Sequence, residues 1–190
     1  MRIVAGKYRG RTLTEFDGDR IRPTLDKVRE SLFNIIQNRT NGSDFLDLYS
    51  GTGAVGIEAL SRNAKSVVFN DSSKDSLSLL KKNLAKIKAD EDYEIFNKDA
   101  VQFLKTTDKK FDIIFIDPPY KSEEKFSALS FCAQALKEDG IVIFEDENEW
   151  QNEIEGLIVY DKRKYGRAHL TFFKEKKEWK FVCLQGLLTR

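Results

Sequence analysis

Asp117-Pro118-Pro119-Tyr120 closes a nearly continuous run of β-branched and aromatic residues, Phe111 to Ile116. Two consecutive prolines remove two N–H donors and fix the turn. The Asp117 carboxylate and the Pro118 carbonyl can then converge on one spot. Such a pair accepts two hydrogen bonds from an exocyclic amine, and Tyr120 can stack on the ring that carries it. A nucleobase amine is a poor nucleophile because its lone pair is delocalised into the ring. Hydrogen bonds from both of its hydrogens favour a pyramidal nitrogen with a free lone pair, and alignment then supplies much of the rate. The bland alternative is a rigid loop with a surface aromatic. The position at the end of a buried-type strand, at the usual ligand crevice of an α/β sheet, favours the site.

A second cluster, Asp47-Leu48-Tyr49-Ser50-Gly51-Thr52-Gly53-Ala54-Val55-Gly56, puts a Gly-rich turn between a strand and a helix. Such a turn lets the backbone approach a ligand closely. It formally contains the dinucleotide pattern GxGxxG, a weak signal alone. Asp47 stands before the turn, where its charge would repel a pyrophosphate. The same carboxylate suits a ligand with an ammonium group and no phosphates, as S-adenosylmethionine has. Tyr49, Ser50, Gly51 and Gly53 join Asp47 as candidate cofactor residues. Asp71 follows the next strand, 20 residues after Gly51, where a carboxylate can accept from both hydroxyls of an adenosine ribose. This fits NAD as well as S-adenosylmethionine. Asp99 and Ala100 follow the third strand and could hold the adenine edge, although Asp99 reads equally well as a helix N-cap.

These endings require strands that run the same way. Apolar periodicity predicts a helix over 25–38, with Thr24 as its cap, broken at Asn41-Gly42. Strands are predicted at 45–49, 66–69, 93–96, 111–116 and 141–144. Helices are predicted from the Gly turn through Arg62 and over 73–88, 99–106 and 123–137. Strands alternating with helices mean a parallel α/β sheet. Two last strands, near 157–161 and 168–173, are joined around Tyr165-Gly166 with no room for a helix, so they should pair as an antiparallel hairpin.

The chain has 190 residues, with 32 Lys+Arg against 31 Asp+Glu and a formal net charge of +1. That length suits one domain with an ample core, and the composition excludes a disordered chain or a disulfide-stapled miniprotein. No run of about 18 apolar residues is present, so no membrane span is expected, and the N-terminus does not read as a signal peptide. Cys132 and Cys183 lie far apart and read as reduced thiols of a cytoplasmic protein. His169 is the only histidine, which argues against a His-rich metal centre, and no metal is expected. No coiled-coil heptad is evident, so a monomer is expected. Charge is balanced overall but not locally. Arg2, Lys7, Arg9 and Arg11 form one basic cluster, and Lys162, Arg163, Lys164 and Arg167 a second, with the acidic run Glu145, Asp146, Glu147 and Glu149 between them. The two would make a polyanion-binding face if folding joined them.

RIVAGKYRGRTL at the start, IRPTLDKVRESLFNII, FLDLYSGTGAVGIEALSR, FDIIFIDPPY and the late KRKYG together resemble the RsmD-like 16S rRNA (guanine-N2)-methyltransferases. The resemblance covers residues 1 to about 174 in the expected order. It implies a Rossmann-like class I methyltransferase with a seven-stranded, mostly parallel mixed sheet, a C-terminal antiparallel hairpin and a small N-terminal extension. It implies residues 1–40 as an RNA-contacting extension and helix, 41–175 as the methyltransferase core and 176–190 as an unassigned tail. It further implies methyl transfer from S-adenosylmethionine to the exocyclic N2 amine of a guanine in 16S rRNA, the substrate being a small-subunit assembly. Asp117, Pro118, Pro119 and Tyr120 become the catalytic motif. Arg2, Lys7, Arg9, Arg11, Arg22 and Thr24 lie in the segments expected to meet RNA. The family more often carries Glu where the second strand here ends in Asn70-Asp71. Other acceptors of the same chemistry are adenine N6 and a protein glutamine amide. An NAD-dependent oxidoreductase is the reading that GxGxxG and Asp71 would support, and a non-catalytic RNA-binding domain is the third.

Overall fold

Seven strands form one twisted sheet in a computed structural model, which describes residues 1–15, 24–118 and 124–176. In chain order they are β1 (Asp44–Asp47), β2 (Ser66–Asn70), β3 (Asp92–Phe96), β4 (Phe111–Ile116), β5 (Leu136–Asp146), β6 (Leu157–Tyr165) and β7 (Ala168–Glu175). Their spatial order is β3-β2-β1-β4-β5-β7-β6. The first five run parallel, and β7 pairs antiparallel with both β5 and β6. The chain reverses direction across the sheet between β1 and β4, so the ends of these two strands form the crevice where ligands bind in open α/β sheets. The expected Rossmann-like architecture and the C-terminal hairpin are both present.

Each face of the sheet is covered because its strands are apolar on both sides. On one face Phe45, Phe69, Ile113, Phe115 and Phe172 pack against helices α1 (Thr24–Ile35), α3 (Ala54–Ser61) and α4 (Lys74–Ile87), through Leu32, Phe33, Ile57, Leu80 and Leu84. On the other, Leu46, Ile114, Phe144 and Phe173 meet helices α5 (Ala100–Thr106) and α6 (Glu124–Ser130), through Phe103 and Leu129, with Trp150 among them. Cys132 is fully buried in this second core, and the apolar surroundings push its thiol pKa up.

Two expected helices are shorter than the periodicity suggests. The one predicted over 25–38 stops at Ile35, and a separate turn of helix, α2 (Gln37–Thr40), follows. The chain bends at Ile36, whose side chain is buried. The one predicted over 123–137 ends at Ser130. A single 3₁₀ turn at Ala133–Ala135 follows, and Leu136 is already paired with Phe111. Lys137 explains the change. Its ammonium bonds the carboxylates of Asp44 and Asp112 (2.7 Å to the latter), which draws this segment out along the sheet edge.

The N-terminal residues are part of the same core. Ile3, Tyr8 and Leu13 are buried, and an antiparallel bridge joins Arg2 to Thr12. The segment is pinned to α3 by the Glu58 carboxylate, which is wholly buried and accepts from the backbone N–H groups of Val4 (2.8 Å) and Ala5 (3.0 Å). Arg62 and the buried Arg29 flank the same carboxylate, at 2.8 and 3.6 Å. Gly6 lies so close to α3 that a Cβ there would sit 1.7 Å from the Ser61 carbonyl oxygen, and its φ of +81° belongs to glycine. Glu58→Ala leaves two guanidinium groups and two amides without their shared acceptor. Its expected cost is about 3–5 kcal/mol, read as a shift of the urea midpoint, because it breaks a buried charge cluster.

Candidate active site

The carboxyl ends of β1, β4 and β5 border a cavity of 190 Å³. Asp47, Tyr49, Ser50 and Gly51 line it from the loop after β1, Asp117 from the end of β4 and Glu145 from β5. Met1, Val28, Arg29 and Leu32 close it from the N-terminal side. Asp47 belongs here because it is the last residue of a buried parallel strand, and its Oδ2 accepts from the Gly56 N–H at 2.9 Å. The turn between them is held by glycines with positive φ. Gly53 (φ +82°) stands at the N-terminus of α3, and a Cβ on it would lie 2.2 Å from Leu80 Cδ1.

Asp71 follows β2 directly and reaches the same turn. Its Oδ2 accepts from Gly51 N–H and its Oδ1 from Ser73 N–H, both at 2.8 Å. Asn97 then donates to the carbonyls of Asp71 and Ser72, each at 2.9 Å, which locks the ends of β2 and β3 side by side. Asp99 is exposed and caps α5, accepting from the Gln102 N–H at 2.9 Å; Ala100 is buried behind it. The structure thus brings Asp47, Tyr49, Ser50, Gly51 and Asp117 around one cavity, attaches Asp71 through Gly51, and leaves Asp99 and Ala100 one strand further along. Pro118 is buried. Pro119, Tyr120 and Arg22 lie outside the described residues, and Thr24 is the first residue of α1.

The structure adds to the sequence reading at three residues of this region. Ser50 Oγ and Asn70 Oδ1 are buried side-chain atoms with no hydrogen-bond partner among the described residues. Buried polar groups are nearly always satisfied, so the orphan on Ser50, which lines the cavity, marks a place for a ligand atom. No spacing rule singles out a serine or asparagine for this. The third is Arg29, the one Lys or Arg that lines the cavity among the described residues. Its Nη groups are taken up by Asp26 (2.9 Å), the Arg2 carbonyl and Met1 Sδ.

Among the described residues the cavity lining holds more acids than bases. Burial above all pushes the Asp47 carboxyl pKa up to about 7. The hydrogen bond from Gly56 opposes the shift, and the charges of Asp117 and Asp71 add to it. Among the described residues three acids, Asp47, Asp117 and Glu145, and one guanidinium, engaged by Asp26, line the cavity. A pyrophosphate would meet repulsion there, whereas a cationic ligand would relieve it.

The conserved hypothetical protein 95 family model matches residues 1–174. Ribosomal RNA small subunit methyltransferase D of Haemophilus influenzae is 37% identical over 154 residues, covering 78% of this chain and 80% of its own. The chain belongs to the ribosomal RNA small subunit methyltransferase D family. YlbH of Bacillus subtilis is 35% identical over 184 residues, spanning 93% of this chain and all of its own. Among solved structures, yhhF of Escherichia coli superposes with a TM-score of 0.83 at 28% identity, over 94% of this chain and 99% of that one. Family membership agrees with the placement of the Gly turn and Asp117 at neighbouring strand ends. No group of three or more potential metal ligands occurs among the described residues, and no helix there is long and apolar enough to cross a membrane.

The basic N-terminal cluster lies away from the cavity and from the second basic cluster. The Gly6–Gly10 turn packs on Ser61, at the end of α3 farthest from the cavity. Lys7 pairs there with Asp90 and Glu91 (2.9 Å to the latter), just before β3 begins, and these carboxylates raise the lysine pKa. Arg11 lies over the Tyr8 ring and donates to the Ile87 carbonyl. Arg9 is exposed on the same turn. Arg2 alone of the four stands next to a cavity residue, Met1.

Proposed function

We propose that this chain transfers a methyl group from S-adenosylmethionine to the exocyclic N2 amine of a guanine in the RNA of the small ribosomal subunit. The observation that carries this reading is the acid-lined cavity between the Gly turn and Asp117. When bound, the cofactor supplies a methyl group activated on a sulfonium. Asp47 faces its ammonium group, and Ser50 Oγ gains the partner it lacks. Asp71 accepts from the ribose hydroxyls, and Asp99 with the Ala100 N–H meets the adenine edge. Asp117 and the Pro118 carbonyl each accept a hydrogen bond from the guanine amine and free its lone pair, while Tyr120 stacks on the base; as the nitrogen gains the methyl carbon the carbon–sulfur bond breaks, and the nitrogen gives up one proton toward Asp117. No nucleophile of the protein is needed, since orientation does the work. A guanine inside a duplex cannot present its amine this way, so the target must be unstacked or flipped. Residues 41–175 make the catalytic unit, and residues 1–40 close the cavity through Met1, Val28, Arg29 and Leu32.

The test is methyl transfer from labelled S-adenosylmethionine to small subunits that lack the modification, followed by nucleoside analysis. N2-methylguanosine is the expected product. Label in N6-methyladenosine or in protein would move the acceptor. Binding of NAD in place of S-adenosylmethionine would overturn the reading.

A further inference from the structure

The sheet register places the second basic cluster at the cavity edge. Ile116, which precedes Asp117, pairs with Phe144 of β5. Two residues on, Asp146 pairs with His169 of β7, and His169 pairs with Lys164 of β6. Parallel β4 and β5 end at this edge, antiparallel β7 begins there, and the β6–β7 turn, Gly166-Arg167, closes there with Tyr165 opposite Ala168. Three steps across a sheet, each about 4.8 Å, set the backbone of Lys164 about 14 Å to the side of the Asp117 strand end. A single RNA strand covers that span in a few nucleotides.

The cations on this hairpin are not equivalent. Lys162 is held by Glu149 at 3.0 Å and by the Trp150 carbonyl at 2.6 Å, and Arg163 by Asp161 at 3.0 Å. Lys164 and Arg167 have no hydrogen-bond or ion-pair partner among the described residues, and both are exposed. With Gly166, His169, Asn148 and Glu147 they line an open groove of 420 Å³. Among the described residues Glu147 is the one carboxylate in that lining, against two permanent cations, and Glu149 beside it acts through space on Lys164 and His169. The Asn148 backbone is fixed by the Asp146 carboxylate, which accepts from Glu147 N–H at 2.7 Å and Asn148 N–H at 3.4 Å. Two unpaired cations, an amide and an imidazole around one polar groove match the donors that hold phosphate oxygens in RNA complexes.

We infer that the β6–β7 hairpin tip grips the RNA backbone beside the target guanine, with Lys164 and Arg167 each on a phosphate. This inference rests on the methyl-transfer reading above. It gives the surface next to the chemistry to the hairpin, since the Gly6–Gly10 turn lies at the far edge of the sheet and Lys7 within it and Arg11 after it are internally engaged.

The test measures binding of purified small-subunit rRNA between about 50 and 200 mM salt for wild type and for Lys164→Ala/Arg167→Ala. Each phosphate contact on a single strand contributes about 0.7 to the slope of log K against log salt, so the double variant should lose about 1.4 from that slope. Its KM for the RNA substrate should rise about tenfold at physiological salt, with S-adenosylmethionine affinity unchanged. Arg167→Glu should weaken RNA more than Arg167→Ala. Lys82→Ala/Lys86→Ala, which removes the same charge from the exposed face of α4, should keep the wild-type slope. An unchanged slope and KM in the hairpin variant, with wild type binding and methylating RNA, overturns the hairpin assignment alone. A wild type that neither methylates RNA nor binds it in a salt-dependent way overturns the function and the hairpin together.

Discussion

Asp117→Ala is expected to lower kcat for methyl transfer by about 10²–10³-fold, the usual effect of removing one fixed hydrogen-bonding partner of the transition state. The affinity for S-adenosylmethionine should change by less than about threefold, because no contact to the cofactor is assigned to this carboxylate and only its charge reaches Asp47. The reason lies in the acceptor. Removing Asp117 leaves the Pro118 carbonyl as the single acceptor, so the amine can stay conjugated with the ring. Asp117→Asn retains a carbonyl oxygen in nearly the same place and should recover part of the loss. The separate measurements are cofactor binding by calorimetry and single-turnover methyl transfer. A fall in cofactor affinity as large as the fall in rate would make Asp117 a cofactor-binding group and refute its assignment to the amine.

The strand endings were legible because they obey short-range rules. A continuous apolar run followed by Asp-Pro-Pro can only be a buried strand that stops, and Gly51 and Gly53 announce a turn that no other residue would make so easily. The positions of Asp47, Asp71 and Asp117 follow from those endings, and the register of β1 with β2 and β4 brings them to one edge. Charge was less legible. Lys7, Arg9 and Arg11 read as one basic patch, yet the partners of Lys7 and Arg11 come from residues 87–91, which no local pattern connects to them. The unmet hydrogen bonds of Ser50 and Asn70 were invisible for a different reason. Each is a property of the packed structure and not of residue type. Helix α6 was overextended because Leu129, Cys132, Ala135 and Leu136 keep a helical period, while the pull on Lys137 comes from Asp44 and Asp112, far away in sequence.

Asp47 makes the protein's stability fall as pH rises, and the cofactor should reverse the trend. The folded carboxyl titrates near pH 7 against an unfolded value of 3.8. Between those two values the unfolded chain has released the proton and the folded chain still holds it, so stability declines with pH at up to about 1.4 kcal/mol per unit. The contribution is fully present below pH 3.8, is lost as pH rises through 7, and amounts to about 4 kcal/mol in total. Asp44, Asp90 and Glu91 are held below the usual carboxylate range by their lysine or tyrosine partners, so their effect has the opposite sign and acts at the acid end. Asp47→Asn should reduce the decline from pH 5 to 7 and stabilise the ligand-free protein at pH 8. Cofactor binding must show the converse. An ammonium group binds the ionised carboxylate, so affinity should rise about tenfold per pH unit toward 7 and level off, then fall once the ligand's own amine deprotonates near about pH 8. In Asp47→Asn both the affinity and its dependence on pH below 7 should be lost. Calorimetric titrations of both proteins from pH 5.5 to 8.5, with urea melts at the same pH values, decide the matter. The same slope in both proteins would mean that the carboxylate facing the cofactor is another one, and among the cavity's acids only Asp117 and Glu145 would be left to supply it.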